Sequence, residues 1–165
     1  MKTTAPINPT QAVCIAIDTP LGKLFATAEG EVVTGLYFEG QKFFPAELPP
    51  LSAANTALLA LQREIAEYFA GQRTQFITAF KPKGTRFQQT VWDLLLKIPC
   101  GQTLTYGELA AQLGKPTATR AVASAIGRNP ISIAIPCHRV IGKDGSLTGY
   151  AGGIDRKAAL LQLER

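Results

Sequence analysis

Ile133-Ala134-Ile135-Pro136-Cys137-His138-Arg139-Val140-Ile141 sets a cysteine beside the only histidine of the chain. Pro136 lacks a backbone N–H and fixes its own φ, so the apolar run before it is predicted to be a strand that stops there. Cys137 then lies at the mouth of a turn, with apolar residues on both sides and the positive charge of Arg139 close by. A cation or an imidazole favours the thiolate and so makes a cysteine nucleophilic. The same pattern also suits a structural cysteine beside a surface histidine, so the surrounding sequence has to decide.

Immediately upstream, Thr105-Tyr106-Gly107-Glu108 is a capping box, in which the Thr and Glu side chains each satisfy a helix-end N–H. The helix it opens runs to Leu113, Gly114-Lys115-Pro116 makes a turn, and Thr117 is expected to cap a second helix through about Gly127. Two short helices joined by a glycine-containing turn read as a helix-turn-helix, with a plain helical hairpin as the alternative. On the second helix Ala118, Val122, Ala125 and Ile126 share one face, while Arg120, Ala121, Ser124, Gly127 and Arg128 share the other. The second face is small and basic, which permits close approach to another surface. Downstream, Gly142 to Gly149 is a polar loop, and the small residues after Tyr150 let backbone N–H groups approach a ligand. A final helix begins near Ile154 with Asp155 in its first turn, and Ile154, Ala158 and Leu161 are expected to form its apolar side. Glu164 falls near its end, either as a solvated terminus or as a carboxylate held for its charge.

Further upstream, Phe87 to Ile98 has helical spacing, with Trp92 as a packing residue, and Lys81-Pro82-Lys83-Gly84 carries two breakers. The domain boundary is placed there, giving domains 1–84 and 85–165. The first domain reads as strands over Val13–Ile17, Leu24–Thr27 and Val32–Phe38 in an antiparallel meander, a proline-rich loop, a helix over about 52–69 and a further strand over Thr74–Phe80. It holds no convergent polar cluster and reads as scaffold, with Cys14 in its core.

Charge separates the two halves. Residues 1–84 hold 7 Lys+Arg and 7 Asp+Glu, whereas residues 85–165 hold 10 and 5, so the whole excess of +5 lies with Cys137. A basic half points to a polyanion such as nucleic acid. No apolar run approaches the ~20 residues that span a bilayer. Residues 1–11 are polar and lack a signal-peptide core, and three scattered cysteines give no disulfide framework, so a cytoplasmic location is expected. One histidine and three distant cysteines offer no metal-binding spacing, so neither metal nor other cofactor is expected.

Pro136-Cys137-His138-Arg139-Val140 resembles the active-site motif of the methylated-DNA–protein-cysteine methyltransferases, which repair 6-O-alkylguanine. Tyr106, Arg120, Arg128-Asn129-Pro130 and Tyr150-x-Gly152-Gly153 stand in the same order and spacing. The similarity is strong over about residues 85–164 and weaker before them. It implies a ribonuclease-H-like α/β domain followed by a winged helix-turn-helix, mostly α-helical domain that docks in the minor groove. It further implies Cys137 as nucleophile, His138 as the base acting through a water, and Glu164 as the acid that orients His138. Asn129 would be the structural hinge, and Tyr106, Arg120, Ser124 and Arg128 the DNA contacts. Arg120 would enter the duplex in place of the flipped nucleotide. Tyr106, Val140, Tyr150 and Ala151 would line the alkylguanine pocket, with carbonyls of Cys137 and Val140 accepting from the guanine amine. Some relatives have a serine where this chain has Ala151, leaving only a backbone N–H there. The implied partner is double-stranded DNA carrying 6-O-alkylguanine, possibly also 4-O-alkylthymine, bound by a monomer with no membrane attachment. A non-catalytic module that flags alkylated bases and a cysteine hydrolase are the competing classes. Relatives of the first kind lack the cysteine, and no oxyanion hole for the second is visible.

Overall fold

The computed structural model describes residues 11–165; the polar residues 1–10 read above lie outside them. The first half is built on a meander of β1 (Ala12–Thr19), β2 (Gly22–Glu29) and β3 (Val32–Phe38), antiparallel in the order β1-β2-β3. Its inward residues Val13, Ile15, Ile17, Leu24, Ala26, Val33, Leu36 and Phe38 are buried. Helix α1 (Thr56–Phe69) packs on this sheet through Leu58, Leu61 and Ile65, and the Asn55 side chain caps it by accepting from Leu58 N–H. Helical period and cap thus agree, though the helix starts later than Ser52.

Both sheet edges are covered by short pieces of other chain, which blunts them against pairing with another molecule. Cys14 exchanges backbone hydrogen bonds with Pro50 and Ser52 on the β1 side. On β3, Val33 pairs with residues 79 and 81, and Leu36 pairs with Pro130 and Ser132. The strand expected over Thr74–Phe80 therefore reduces to a single bridge at Phe80. The same holds for the apolar run before Pro136. Only Ile131 bridges β3, and the chain then turns, with Ile133 at φ +69°. Ile131, Ile133 and Ile135 are all buried, so the run earns its apolar character from a buried turn rather than from a strand.

The second half contains α2 (Arg86–Leu95), β4 (Leu104–Thr105), α3 (Tyr106–Gln112), α4 (Thr119–Gly127), β5 (Val140–Ile141) and α5 (Ile154–Leu163). The Thr105/Glu108 capping box is present. Helix α4 starts at Thr119 with Ala118 at its N-cap position and no side-chain cap, so Thr117 does not cap it. Buried Val122, Ala125 and Ile126 turn α4 inward, and Trp92 of α2 donates its indole N–H to Ala125 O at 2.9 Å. Arg120, Ala121, Ser124 and Arg128 stay exposed. β4 and β5 form a two-residue parallel pair that joins the start of α3 to the turn carrying Cys137. In α5 the expected apolar face is wrong: Ile154 and Ala158 are exposed, and the buried face carries Lys157 and Leu160. The molecule is thus an N-terminal sheet domain joined to a C-terminal helical domain. Arg156 ties them by donating to Leu21 O and Gly152 O while its guanidinium lies over the Phe38 ring. Among the described residues no helix is long and apolar enough to cross a membrane.

Candidate active site

Cys137, His138 and Arg139 form one turn of 3₁₀ helix directly after Pro136. Asn129 braces this turn from the end of α4. Its side-chain N–H₂ donates to Ile135 O at 2.8 Å and to Ile131 O, and its carbonyl oxygen accepts from Ile131 N–H at 3.0 Å. A buried amide that satisfies three backbone groups fixes the loop far better than an apolar residue could. It also couples the position of the cysteine to the C-terminal end of α4.

His138 and Glu164 are both sealed from solvent, with side-chain exposures of 0% and 1%. His138 Nε2 and Glu164 Oε1 are 2.7 Å apart. Arg139 holds both oxygens of that carboxylate, Nη2 to Oε1 at 2.8 Å and Nε to Oε2 at 2.9 Å, and its Nη1 donates to Ile98 O. This answers the unfavourable end of the α5 dipole: the carboxylate at the C-cap is neutralised by a forked guanidinium. Burial pushes the Glu164 carboxyl up, but its hydrogen bonds to His138 and Arg139 and their charges outweigh burial and hold it well below the usual carboxylate range. Burial pushes His138 down, against the hydrogen bond and charge of Glu164. The imidazole is therefore neutral near pH 7, with Nε2–H donating to Glu164, which leaves Nδ1 as an acceptor. Nδ1 is buried and has no protein hydrogen-bond partner.

Cys137 is 5% exposed. Burial pushes its thiol up, opposed by the Asn129 side chain, the Lys157 ammonium and the backbone N–H groups of residues 137 and 138. Arg139, the cation expected to act on the thiol, instead serves Glu164. The cation that acts on Cys137 is Lys157, which sequence reading passed over. Lys157 is 0% exposed, donates to Thr148 O at 2.9 Å and stands 5.7 Å from the centre of the Tyr106 ring. Its signal in the sequence was only its helical register with Glu164, two turns further along α5. Cys14 is buried at β1, and Cys100 is half-buried behind Pro99.

Between α4 and the loop of residues 148–154 lies an open cleft of about 700 Å³. Tyr106, Arg120, Ser124, Arg128, Tyr150 and Ala151 all line it, so the structure brings together six of the residues singled out in the sequence. Cys137, His138 and Val140 are not among its lining residues; they lie buried, Val140 at 0% exposure. A negative charge on Cys137 would nonetheless act on Tyr106, Tyr150 and Lys157. The Tyr106 hydroxyl donates to Thr148 O at 2.7 Å, and the Tyr150 hydroxyl is buried without a protein partner. A side chain at Gly152 would meet the Tyr150 and Phe38 rings at 2.7 and 3.1 Å, so only glycine lets this loop close over the sheet domain. Lys42 and Phe43 of the sheet domain also line the cleft, and the Arg128 guanidinium stacks on Phe43 at 3.9 Å. The first half thus contributes to a face that charge counting gave wholly to the second. Among the described residues no three His, Cys, Asp or Glu side chains converge as a metal would require.

A buried thiol lies beside a neutral imidazole with one free nitrogen and a carboxylate anchor, and exposed arginines line the cleft. Comparison with known proteins gives the family. Residues 86–165 match the model of the 6-O-methylguanine DNA methyltransferase DNA-binding domain, and residues 12–82 match that of its ribonuclease-like domain. The chain is 45% identical over 152 residues to the methylated-DNA–protein-cysteine methyltransferase of Mycobacterium leprae, covering 92% of each chain. It is 43% identical to that of Haemophilus influenzae, covering 89% of this chain and 83% of that one. The crystal structure of Mycobacterium tuberculosis O6-methylguanine methyltransferase superposes with a TM-score of 0.84 at 46% identity, covering 93% and 92% of the two chains. A structure of the Mycobacterium tuberculosis protein in complex with DNA superposes equally well, with a TM-score of 0.84. The chain belongs to the methylated-DNA–protein-cysteine methyltransferase family.

Proposed function

We propose that the protein repairs DNA by moving the alkyl group of 6-O-alkylguanine irreversibly onto Sγ of its own Cys137. The observation that carries this reading is the buried His138–Glu164 pair beside Cys137, in which His138 keeps Nδ1 free to accept a proton. The thiol proton passes through a water to His138. The Cys137 sulfur forms a bond to the alkyl carbon, the carbon–O6 bond breaks, and its electron pair leaves with the guanine, which is then protonated. Glu164 holds the imidazole in the tautomer this needs and stabilises the imidazolium that forms. Lys157 and the backbone N–H groups offset the charge of the transient thiolate. The product is a thioether, which neither His138 nor water cleaves, so each molecule acts once.

An alkylated base inside a duplex is out of reach of a buried thiol, so the nucleotide is extruded at a cost of a few kcal/mol. Helices α3 and α4 act as the helix-turn-helix of a winged domain, and residues 12–82 as a ribonuclease-H-like scaffold. The small, basic face of α4 enters the minor groove, Arg120 fills the gap in the stack, and Ser124 and Arg128 hold the backbone. Tyr106 and Tyr150 wall the base pocket, carbonyls of Cys137 and Val140 take the guanine amine, and the Ala151 N–H faces the 6-oxygen. Asn129 is the hinge between α4 and the cysteine turn. Residues 1–84 and 85–165 act as the two domains of a cytoplasmic monomer that works without metal or cofactor. The test is Cys137→Ser: it abolishes transfer while duplex binding stays within about twofold, and loss of both together would overturn the assignment of the nucleophile.

A further inference from the structure

The carboxylate that anchors His138 has a donor that comes from the other domain. Tyr68, near the end of α1, is 2% exposed, and its hydroxyl donates to Glu164 Oε1 at 2.8 Å across 96 residues of sequence. Its ring is held by edge contact with Phe69 and a tilted contact with Phe76, at centroid distances of 5.3 and 5.6 Å. Oε1 therefore accepts from three groups, His138, Tyr68 and Arg139, whereas Oε2 accepts from Arg139 alone. The fork of Arg139 already fixes the carboxylate plane. A third donor on Oε1 adds little orientation, but it draws off the electron density that would otherwise go to His138 Nε2–H.

We propose that Tyr68 is a positioning residue of the alkyl transfer, acting through Glu164, so that the sheet domain sets the strength of the base in the helical domain. The proposal rests on the alkyl-transfer reading above. Burial and the charge of Glu164 push the Tyr68 phenol up, so it stays a donor at every working pH. The charged and titratable groups around the pair are Arg139 and Cys100 beside Glu164, and Arg139 and Lys157 beside His138. None of them replaces a neutral donor on Oε1. Without the hydroxyl, Oε1 becomes a stronger acceptor for His138, which favours the imidazolium. The base is then protonated, and lost, at a higher pH.

The chain has one histidine, so its ring nitrogens give a single NMR titration that needs no activity. In Tyr68→Phe the His138 midpoint should move up by about half a pH unit, roughly a threefold change in its protonation equilibrium. The acid limb of methyl transfer to Cys137 should move with it, while the rate above pH 8 stays near wild type. Phe76→Leu loosens the same ring but keeps the hydroxyl, and should lower Tm without moving either midpoint. An unmoved or lowered His138 midpoint in Tyr68→Phe would overturn the proposal. Should that variant not fold, the wild-type Tyr68 hydroxyl proton serves instead: its NMR shift should follow the His138 titration, and independence from it would equally overturn the coupling. If transfer is absent but the midpoint moves as stated, it is the alkyl-transfer reading that fails.

Discussion

At Cys137 the chemistry is a contest between burial and proton removal. Burial pushes the thiol up, and in the proposed mechanism the thiolate is made at the moment of attack, its proton passing to His138. His138→Ala should slow transfer by about 10²- to 10⁴-fold, the usual worth of a positioned base, with duplex affinity nearly unchanged; single-turnover rates and a binding titration check both. Glu164→Gln removes the charge that faces Arg139 and leaves a guanidinium buried beside a neutral amide. Breaking such a pair costs about 3–5 kcal/mol, read as a fall in the denaturant midpoint. The pH dependence has a definite sign. His138 is pushed below its unfolded value, so its contribution is complete above about pH 6.5 and is lost as the pH falls through the folded value. Glu164 is also pushed down, so its share is present above about pH 4.3 and is lost further into acid. Denaturant midpoints measured from pH 8 to 3 should fall in two stages, and His138→Ala should flatten the first; a single fall below pH 4 in the wild type would contradict the neutral, buried imidazole.

At the scale of elements, the turn carrying Cys137 is held by Asn129 from α4 and by β5 against β4. Asn129→Ala leaves Ile131 N–H without its acceptor, at about 1–3 kcal/mol for the unsatisfied group, while Ile131 O and Ile135 O each lose one donor and keep the backbone N–H groups of Ile135 and Cys137. Transfer should slow as well, because the thiol turn loses its reference to α4; unchanged kinetics in a destabilised variant would make Asn129 a purely structural residue. The same elements show what was legible in advance. The meander, α1 and α3 could be read because alternation and helical period each had a cap or turn at the end, the Thr105/Glu108 box of α3 being the plainest case. Ile131–Ile135 misled because an apolar run buried on all sides has no period, and nothing local marks a left-handed Ile133. The α5 face was misread for a related reason. It is set by Lys157 and Glu164, which it delivers to the site, and counting apolar residues points the other way. Tyr68 was legible only as an apolar position at helical spacing, because the partner of its hydroxyl lies 96 residues away in the other half of the chain.

At the scale of the molecule, the excess charge of the second half overstates what solvent sees. Arg139 and Lys157 are buried, so the exposed Arg120 of α4, Arg128 at its C-cap and Lys42 of the sheet domain carry the positive charge of the cleft. Duplex binding should weaken as salt rises, through release of counterions from the phosphates. Arg120→Ala should impair repair in duplexes far more than reaction with free 6-O-methylguanine, which needs no extrusion; equal damage to both would remove Arg120 from that role. The central claim, that Cys137 is the final acceptor, is tested most directly by intact-protein mass during titration with a duplex containing 6-O-methylguanine. The account predicts a gain of one CH₂ unit per protein, mapped to the peptide containing Cys137, with transfer ending at one equivalent. Product formed beyond one equivalent, or a full repair yield with the protein mass unchanged, would contradict it.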